Sequence, residues 1–117
     1  MSYSKIKSYA KINSALNIVG KKNSMHKIES IVSFLYLHDE ILIKKIKNKN
    51  HRIKFFGKFS SNIKLDNTVS QLFKIIDKKK LLKDKYQIII KKNIPSKSGL
   101  GGGSMNAAAI LNFLIKK

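Results

Sequence analysis

The stretch from Ile94 to Ala109, Ile-Pro-Ser-Lys-Ser-Gly-Leu-Gly-Gly-Gly-Ser-Met-Asn-Ala-Ala-Ala, constrains the fold more than any other part of the chain. Gly99, Gly101, Gly102 and Gly103 are four of the six glycines, and they lie between an apolar β-like run and an Ala-rich helical run. A strand, a glycine loop and a helix start make a phosphate cradle. Glycines admit φ > 0 and close backbone approach, while the free N–H groups and the positive dipole end of the following helix attract an anion.

Two better-known glycine loops do not fit. A nucleotide-binding loop of the Gly-x-x-x-x-Gly-Lys-Ser/Thr kind needs a lysine after its last glycine, and none follows Gly103. A dinucleotide fingerprint needs a third glycine where Ser104 stands, and an acidic residue about 20 positions later that the chain does not reach. A flexible surface linker has no need of Pro95 before it or of an immediate helix after it.

The chain of 117 residues bounds the architecture to one domain, or part of one. A hydrophobic content of 43% argues against disorder. The formal charge of +19 would ordinarily point to nucleic acid or an anionic membrane. Of the 25 basic residues, however, only Arg52 is arginine, and the lysines run through the whole length among isoleucine and asparagine. Arginine is the residue of choice for bidentate phosphate and base contacts, so this mix reads as compositional drift rather than a nucleic-acid face.

Without cysteine, disulfides, thiolate chemistry and Cys-ligated zinc are excluded. The N-terminal residues lack the apolar core of a signal peptide, and the longest apolar stretch, residues 107–115 with Asn112 inside it, is too short to span a bilayer. A cytoplasmic location with no membrane partner is expected. His26, His38 and His51 have no helical or hairpin ligand spacing with supporting acids, which argues against a histidine metal site.

Hydropathy periodicity predicts an α+β unit of about five strands and two helices in a mixed sheet. Lys5 to Val19 reads as one long strand, with Ala10, Ile12, Leu16 and Ile18 on one face and Lys11, Asn13 and Asn17 on the other. Lys27 to Leu37 and Glu40 to Lys47 read as two more strands joined in a hairpin through His38-Asp39, and His51 to Phe56 as a short strand closed by Gly57. A helix opens at Asp66 or Asn67, carries Val69, Leu72, Phe73 and Ile76 on one face, and ends in Lys78-Lys79-Lys80. Tyr86 to Ile94 reads as a central strand, apolar on both faces, stopped by Pro95. The last helix is predicted to begin near Ser104, with Ala107, Ala108, Leu111, Leu114 and Ile115 on its buried side.

The pattern Pro95-x-x-x-Gly99-Leu100-Gly101-Gly102-Gly103-Ser104-x-x-Ala107-Ala108 resembles the phosphate-binding motif of the GHMP kinases. Within that superfamily the triple glycine is most similar to the kinases of 4-diphosphocytidyl-2-C-methyl-D-erythritol. Ala10-Lys11-Ile12-Asn13, with Leu16 and Gly20 beyond, resembles their N-terminal segment, and Ser24-Met25-His26 and Asp66-Asn67 match further positions. The resemblance covers nearly all of this chain and less than half of the family's usual length. It implies an N-terminal GHMP kinase domain over residues 1–117, incomplete at its C-terminal end, whose fold is similar to that of certain ribosomal protein domains.

What the resemblance implies about chemistry is specific. The function would be ATP-dependent phosphorylation of the 2-hydroxyl of that cytidine diphosphate sugar alcohol, in the non-mevalonate route to isoprenoids. Pro95, Ser96, Lys97, Ser98, Gly99, Leu100, Gly101, Gly102, Gly103, Ser104 and Met105 would hold ATP, chiefly through backbone N–H groups of residues 99–104. The Ser104 hydroxyl would reach a phosphate or Mg²⁺, a role compatible with a plain helix N-cap. Lys11 would be the catalytic cation that orients or assists the attacking hydroxyl, an assignment that rests on the family motif alone. Asn13 would line the substrate side, and His26 would hydrogen-bond the cytosine, although a surface-loop histidine fits the residues equally well.

The sequence departs from the family at three points. Met25 stands in place of the usual tyrosine, and Ser24 in place of a glycine. The family's catalytic aspartate lies in a later Gly-Ala-Asp-x-Pro segment that these 117 residues do not contain, so no general base is evident and no activity is expected of them alone. The alternative reading is a small basic RNA-binding protein, for which Phe55, Phe56 and Phe59 are the only basic and aromatic cluster, more simply a half-buried hairpin.

Overall fold

A computed structural model describes residues 2–11, 36–61, 63–95 and 102–116. Four strands and two helices occur among them: β1 (Ser4–Tyr9), β2 (His38–Ile46), β3 (Arg52–Phe56), α1 (Thr68–Lys78), β4 (Lys85–Lys91) and α2 (Gly102–Ile115). The sheet order is β1-β2-β4-β3. β2 runs antiparallel to both β1 and β4, whereas β3 lies parallel to β4, reached from it through α1.

Among the described residues, the helices cover one sheet face and leave the other open. Alternation explains the division: Ile41 and Ile43 of β2, and Tyr86, Ile88 and Ile90 of β4, point to the covered side and are buried. They pack with Val69, Phe73 and Ile76 of α1 and Ile110 and Leu114 of α2 into one core. The opposite face carries Lys5, Lys7 and Tyr9 of β1, Lys54 of β3 and Lys91 of β4, all exposed. Ile89 on that face is only half-buried, so β4 is central in the sheet without being buried on both sides, contrary to the expectation from its Ile-Ile-Ile run.

α1 follows its sequence signals closely. The Asn67 side chain accepts from the Ser70 N–H at 3.0 Å, and the Ser70 hydroxyl accepts from the Asn67 N–H at 2.8 Å. This reciprocal cap fixes the start of the helix. At the other end the N–H groups of Lys80 and Leu81 donate to Asp77 and Ile76, with Lys80 in the left-handed region at φ 51. That is a Schellman stop built on a lysine.

Several expectations need correction. β1 ends at Tyr9, so Ala10 and Lys11 lie beyond the strand, and the rest of the expected Lys5–Val19 strand lies outside the described residues. Tyr36 and Leu37 are not in a strand, and residues 27–35 lie outside the described set. Both edges of β2 are taken, by β1 and by β4, so the hairpin expected with Lys27–Leu37 is not what flanks it; His38 and Asp39 belong to the strand, not to a turn. β3 is the parallel edge strand rather than half of a hairpin. Phe55 and Phe59 are half-buried and only Phe56 of the three is exposed, which leaves no shared stacking platform.

α2 begins at Gly102, two residues before Ser104, and its buried positions are Asn106, Ile110 and Leu114. Ala107 is half-buried, whereas Ala108, Leu111 and Ile115 are exposed. The helix is apolar nearly all round, so periodicity did not fix which side faces inward; an asparagine did.

Candidate active site

The strand directions bring several chain segments to one end of the sheet. Tyr9 pairs with His38, Glu40 with Lys91, and Phe56 with Lys91, so the C-terminal ends of β1, β3 and β4 and the start of β2 lie together. Because α1 returns the chain from the end of β3 to the start of β4, its N-terminus is at this end as well. A Cβ placed on Gly103 would lie 3.6 Å from the Thr68 hydroxyl, which puts the first turns of α1 and α2 side by side. Neither first turn carries an acidic side chain. Two positive dipole ends therefore face the same region without a built-in anion to quench them.

Behind this surface lies a buried polar cluster that sequence reasoning missed. Asp39 is fully buried; its Oδ1 accepts from the N–H groups of Asn93 at 2.6 Å and Ile94 at 2.9 Å. Its Oδ2 accepts from Lys92 Nζ at 2.5 Å and from Asn106 Nδ2 at 3.0 Å. Lys92 Nζ also donates to Asn106 Oδ1 at 2.8 Å, and Asn106 Nδ2 to the Ser8 hydroxyl at 2.9 Å. Lys92, Asn106 and Ser8 are 3%, 0% and 2% exposed. Every polar atom of the cluster finds a partner, the condition under which burying a charge pair is tolerable; removing one partner of such a pair costs about 3–5 kcal/mol.

The signal that would have found the cluster is parity. Asp39 is in phase with Ile41 and Ile43 along β2, and Asn106 with Ile110 and Leu114 along α2. A polar residue in phase with core residues on two elements is a buried polar site. Gly57 is a second residue whose role was read too narrowly: it has φ +101, and an added Cβ would sit 3.0 Å from the Lys92 carbonyl oxygen and 3.1 Å from its nitrogen. The Lys92 N–H donates to Phe56 at 2.7 Å beside it. The strand end is thus held tightly where it turns toward the glycine loop.

The predicted site residues divide into three groups. Pro95, half-buried, ends the strand-side stem, and Gly102, Gly103, Ser104 and Met105 form the first turn of α2, with Gly103 and Ser104 exposed. The first glycine positions of the helix are therefore helical rather than loop, and their N–H groups have no partner within the helix. Lys11 is exposed just past the end of β1, where the Ala10 N–H donates to Leu37 at 3.1 Å, and so leaves the sheet at the same end. Ser96, Lys97, Ser98, Gly99, Leu100 and Gly101 lie outside the described residues, as do Asn13 and His26. Among the described residues no group of three or more His, Cys, Asp or Glu could hold a metal ion. No described helix is long and apolar enough to cross a membrane.

Residues 67–116 match the family described as GHMP kinases N terminal domain. Over its whole length the chain is 57% identical to a 4-diphosphocytidyl-2-C-methyl-D-erythritol kinase of Pelagibacter ubique, of which it covers 42%. A protein of the same name from Thermosipho africanus is 38% identical over 95% of the chain, with 39% of the relative covered. Among solved structures, a homoserine kinase from Cytophaga hutchinsonii superposes with a TM-score of 0.52 at 27% identity, covering 68% of this chain and 28% of that one. The chain thus spans about two fifths of the length of the curated relatives it matches. Over residues 67–116 the chain is similar in sequence to the N-terminal domain of the GHMP kinases, and its fold is similar to that of a homoserine kinase.

Proposed function

We propose that these residues are the nucleotide-binding part of an ATP-dependent small-molecule kinase that phosphorylates the 2-hydroxyl of 4-diphosphocytidyl-2-C-methyl-D-erythritol in cytoplasmic isoprenoid synthesis. The observation that carries the reading is the 57% identity, along the entire chain, to a relative bearing that kinase's name. The geometry is compatible with it. The end of β4, Pro95 and the first turn of α2 frame the glycine stretch, and the α1 and α2 N-termini converge there with no acidic side chain in either first turn.

In this reading ATP supplies the phosphoryl group and Mg²⁺ offsets the charge of its phosphates. The N–H groups of Gly102, Gly103 and Ser104 would hold phosphate oxygens, and the exposed Ser104 hydroxyl would face a phosphate or the metal. Lys11, exposed at the same end of the sheet, would orient the acceptor hydroxyl, with Asn13 and His26 on the substrate side. These residues bring no carboxylate to act as general base, so the 117 residues alone would bind nucleotide without turning substrate over.

The test is titration of the chain with a fluorescent ATP analogue in the presence of Mg²⁺, with unlabelled ATP as competitor, alongside a phosphorylation assay on the diphosphocytidyl alcohol. Saturable binding that ATP displaces supports the reading. Absence of competable binding sinks the nucleotide site, and robust turnover by the chain alone sinks the claim that it lacks a complete catalytic set.

A further inference from the structure

The glycine stretch has two stems, the strand-side residues 92–95 and the first turns of α2, and one buried carboxylate touches both. Asp39 accepts from the N–H groups of Asn93 and Ile94 on the first stem and from Asn106 Nδ2 on the second. Lys92 makes the same connection with opposite charge, from Asp39 Oδ2 to Asn106 Oδ1. Asn106 reaches onward to Ser8, which ties the helix start to β1 two residues after Ile6 and three before Lys11. The cluster lies too deep to meet a ligand itself.

We propose that Asp39 and Asn106, with Lys92 between them, are positioning residues: they hold the two stems at a fixed separation and angle, so that the donors of the α2 first turn are already aimed when a nucleotide arrives. The role rests on the nucleotide-binding reading above. Its physical basis is that an anion site made of backbone N–H groups gains strength from preset orientation, which otherwise must be fixed at the cost of binding free energy. Hydrophobic packing of Ile110 and Leu114 fixes the depth of α2 on the sheet, but it is non-directional. Directional hydrogen bonds at Asn106 fix its rotation and its position along its axis.

Two variants separate positioning from plain stabilisation. Asn106→Ala cuts the link between the stems while leaving the Asp39–Lys92 pair in place. The double variant Asp39→Asn, Lys92→Met cuts the same link from the other side and leaves no buried charge: the new amide oxygen still accepts from Asn93 and Ile94, but its nitrogen faces Asn106 Nδ2, donor against donor. The readouts are residue-resolved amide hydrogen exchange and affinity for the fluorescent ATP analogue. For Asn106→Ala, exchange at Asn93, Ile94, Ala107 and Ala108 rises tenfold or more while the β2 and β4 core amides keep the parent rates, and nucleotide affinity falls at least tenfold. The double variant follows Asn106→Ala in both.

A uniform rise in exchange across β2, β4 and the stems in Asn106→Ala would reduce the cluster to general stability and overturn the proposal, as would unchanged stem exchange. If Asn106→Ala does not fold, the double variant decides: loosened stems with parent-like core exchange uphold the proposal, and parent-like stem exchange overturns it. A parent chain that binds no nucleotide removes the functional reading above, while the exchange pattern still decides whether the cluster sets the stems.

Discussion

The backbone N–H of Tyr86 donates to Nδ1 of His51 at 3.0 Å, so the imidazole stands in for a strand carbonyl one position before β3 begins its parallel pairing with β4. The accepting nitrogen carries no proton, which places the ring proton on Nε2, 3.1 Å from Asp77 Oδ1. The ring also lies 4.5 Å from Phe73, centroid to centroid, and its side chain is 3% exposed. His51 thereby joins the start of β3, the last turn of α1 and the start of β4.

Acid should loosen this joint. Burial lowers the His51 pKa below its ordinary 6.5, with Lys85 acting in the same direction and Asp77 opposing. The unfolded chain then binds more protons than the folded one in the window below about pH 6.5. Stability is complete above that value and is lost as pH falls toward the lowered folded pKa. Asp77, held below the usual carboxylate range first by its hydrogen bond from Lys85, adds a second loss at lower pH, as the medium falls from the unfolded carboxyl pKa through the folded one. Urea midpoints measured from pH 7.5 to 5 should decline for the parent and stay flatter for His51→Gln, whose amide can accept from Tyr86 without titrating; parallel declines would disprove the assignment.

Lys80 occupies the left-handed position that closes α1, at φ 51. A side chain there costs roughly 1 kcal/mol that glycine avoids. Lys80→Gly should therefore raise the unfolding free energy by about that amount, despite the greater freedom glycine has when unfolded, and Lys79→Gly, at φ −92, should not. Equal effects of the two substitutions would show that the Schellman geometry does not govern this end.

Gly57→Ala should be among the most damaging single-methyl additions. Its φ of +101 is unfavourable for any L side chain, and the added carbon would meet the Lys92 backbone at 3.0 and 3.1 Å, where no flexible side chain can yield. A loss of about 2–3 kcal/mol is expected from backbone strain and displacement together. Denaturation of the variant checks the size; a loss below about 0.5 kcal/mol would mean that the strand end is looser than its contacts indicate.

The rotation of α2 is testable by truncating neighbours. Ile110 is 0% exposed and Leu111 37%. Ile110→Ala should cost about 2–5 kcal/mol and Leu111→Ala under about 1. The reverse order would restore the face first suggested by the run of Ala107, Ala108, Leu111, Leu114 and Ile115.

Local chemistry was legible where it is self-contained. Asp66-Asn67 announces a helix start, Gly57 closes β3, and the β-branched run of β4 names a central strand, because each depends on residues a few positions apart. Pairing partners were not legible in the same way. The turn suggested by His38-Asp39 conceals that Asp39 is an inward strand residue, since its partners Lys92 and Asn106 lie 53 and 67 positions away. The glycine motif pointed to the family whose N-terminal domain residues 67–116 match, but it said nothing of the buried charge pair beside it. Lys11 shows the limit from the other side: its motif was recognisable, yet the strand that was to carry it stops at Tyr9.

The contact between Ser8 and Asn106 spans 98 positions, nearly the whole chain. During synthesis, Asp39 and Lys92 are made long before the asparagine that completes their hydrogen bonds, so a ribosome-bound chain lacking α2 holds a carboxylate and an ammonium that its sheet can bury only incompletely satisfied. Loop-closure entropy places such a contact late in folding. The cluster is thus completed only when the helix that follows the glycine stretch has packed against the sheet.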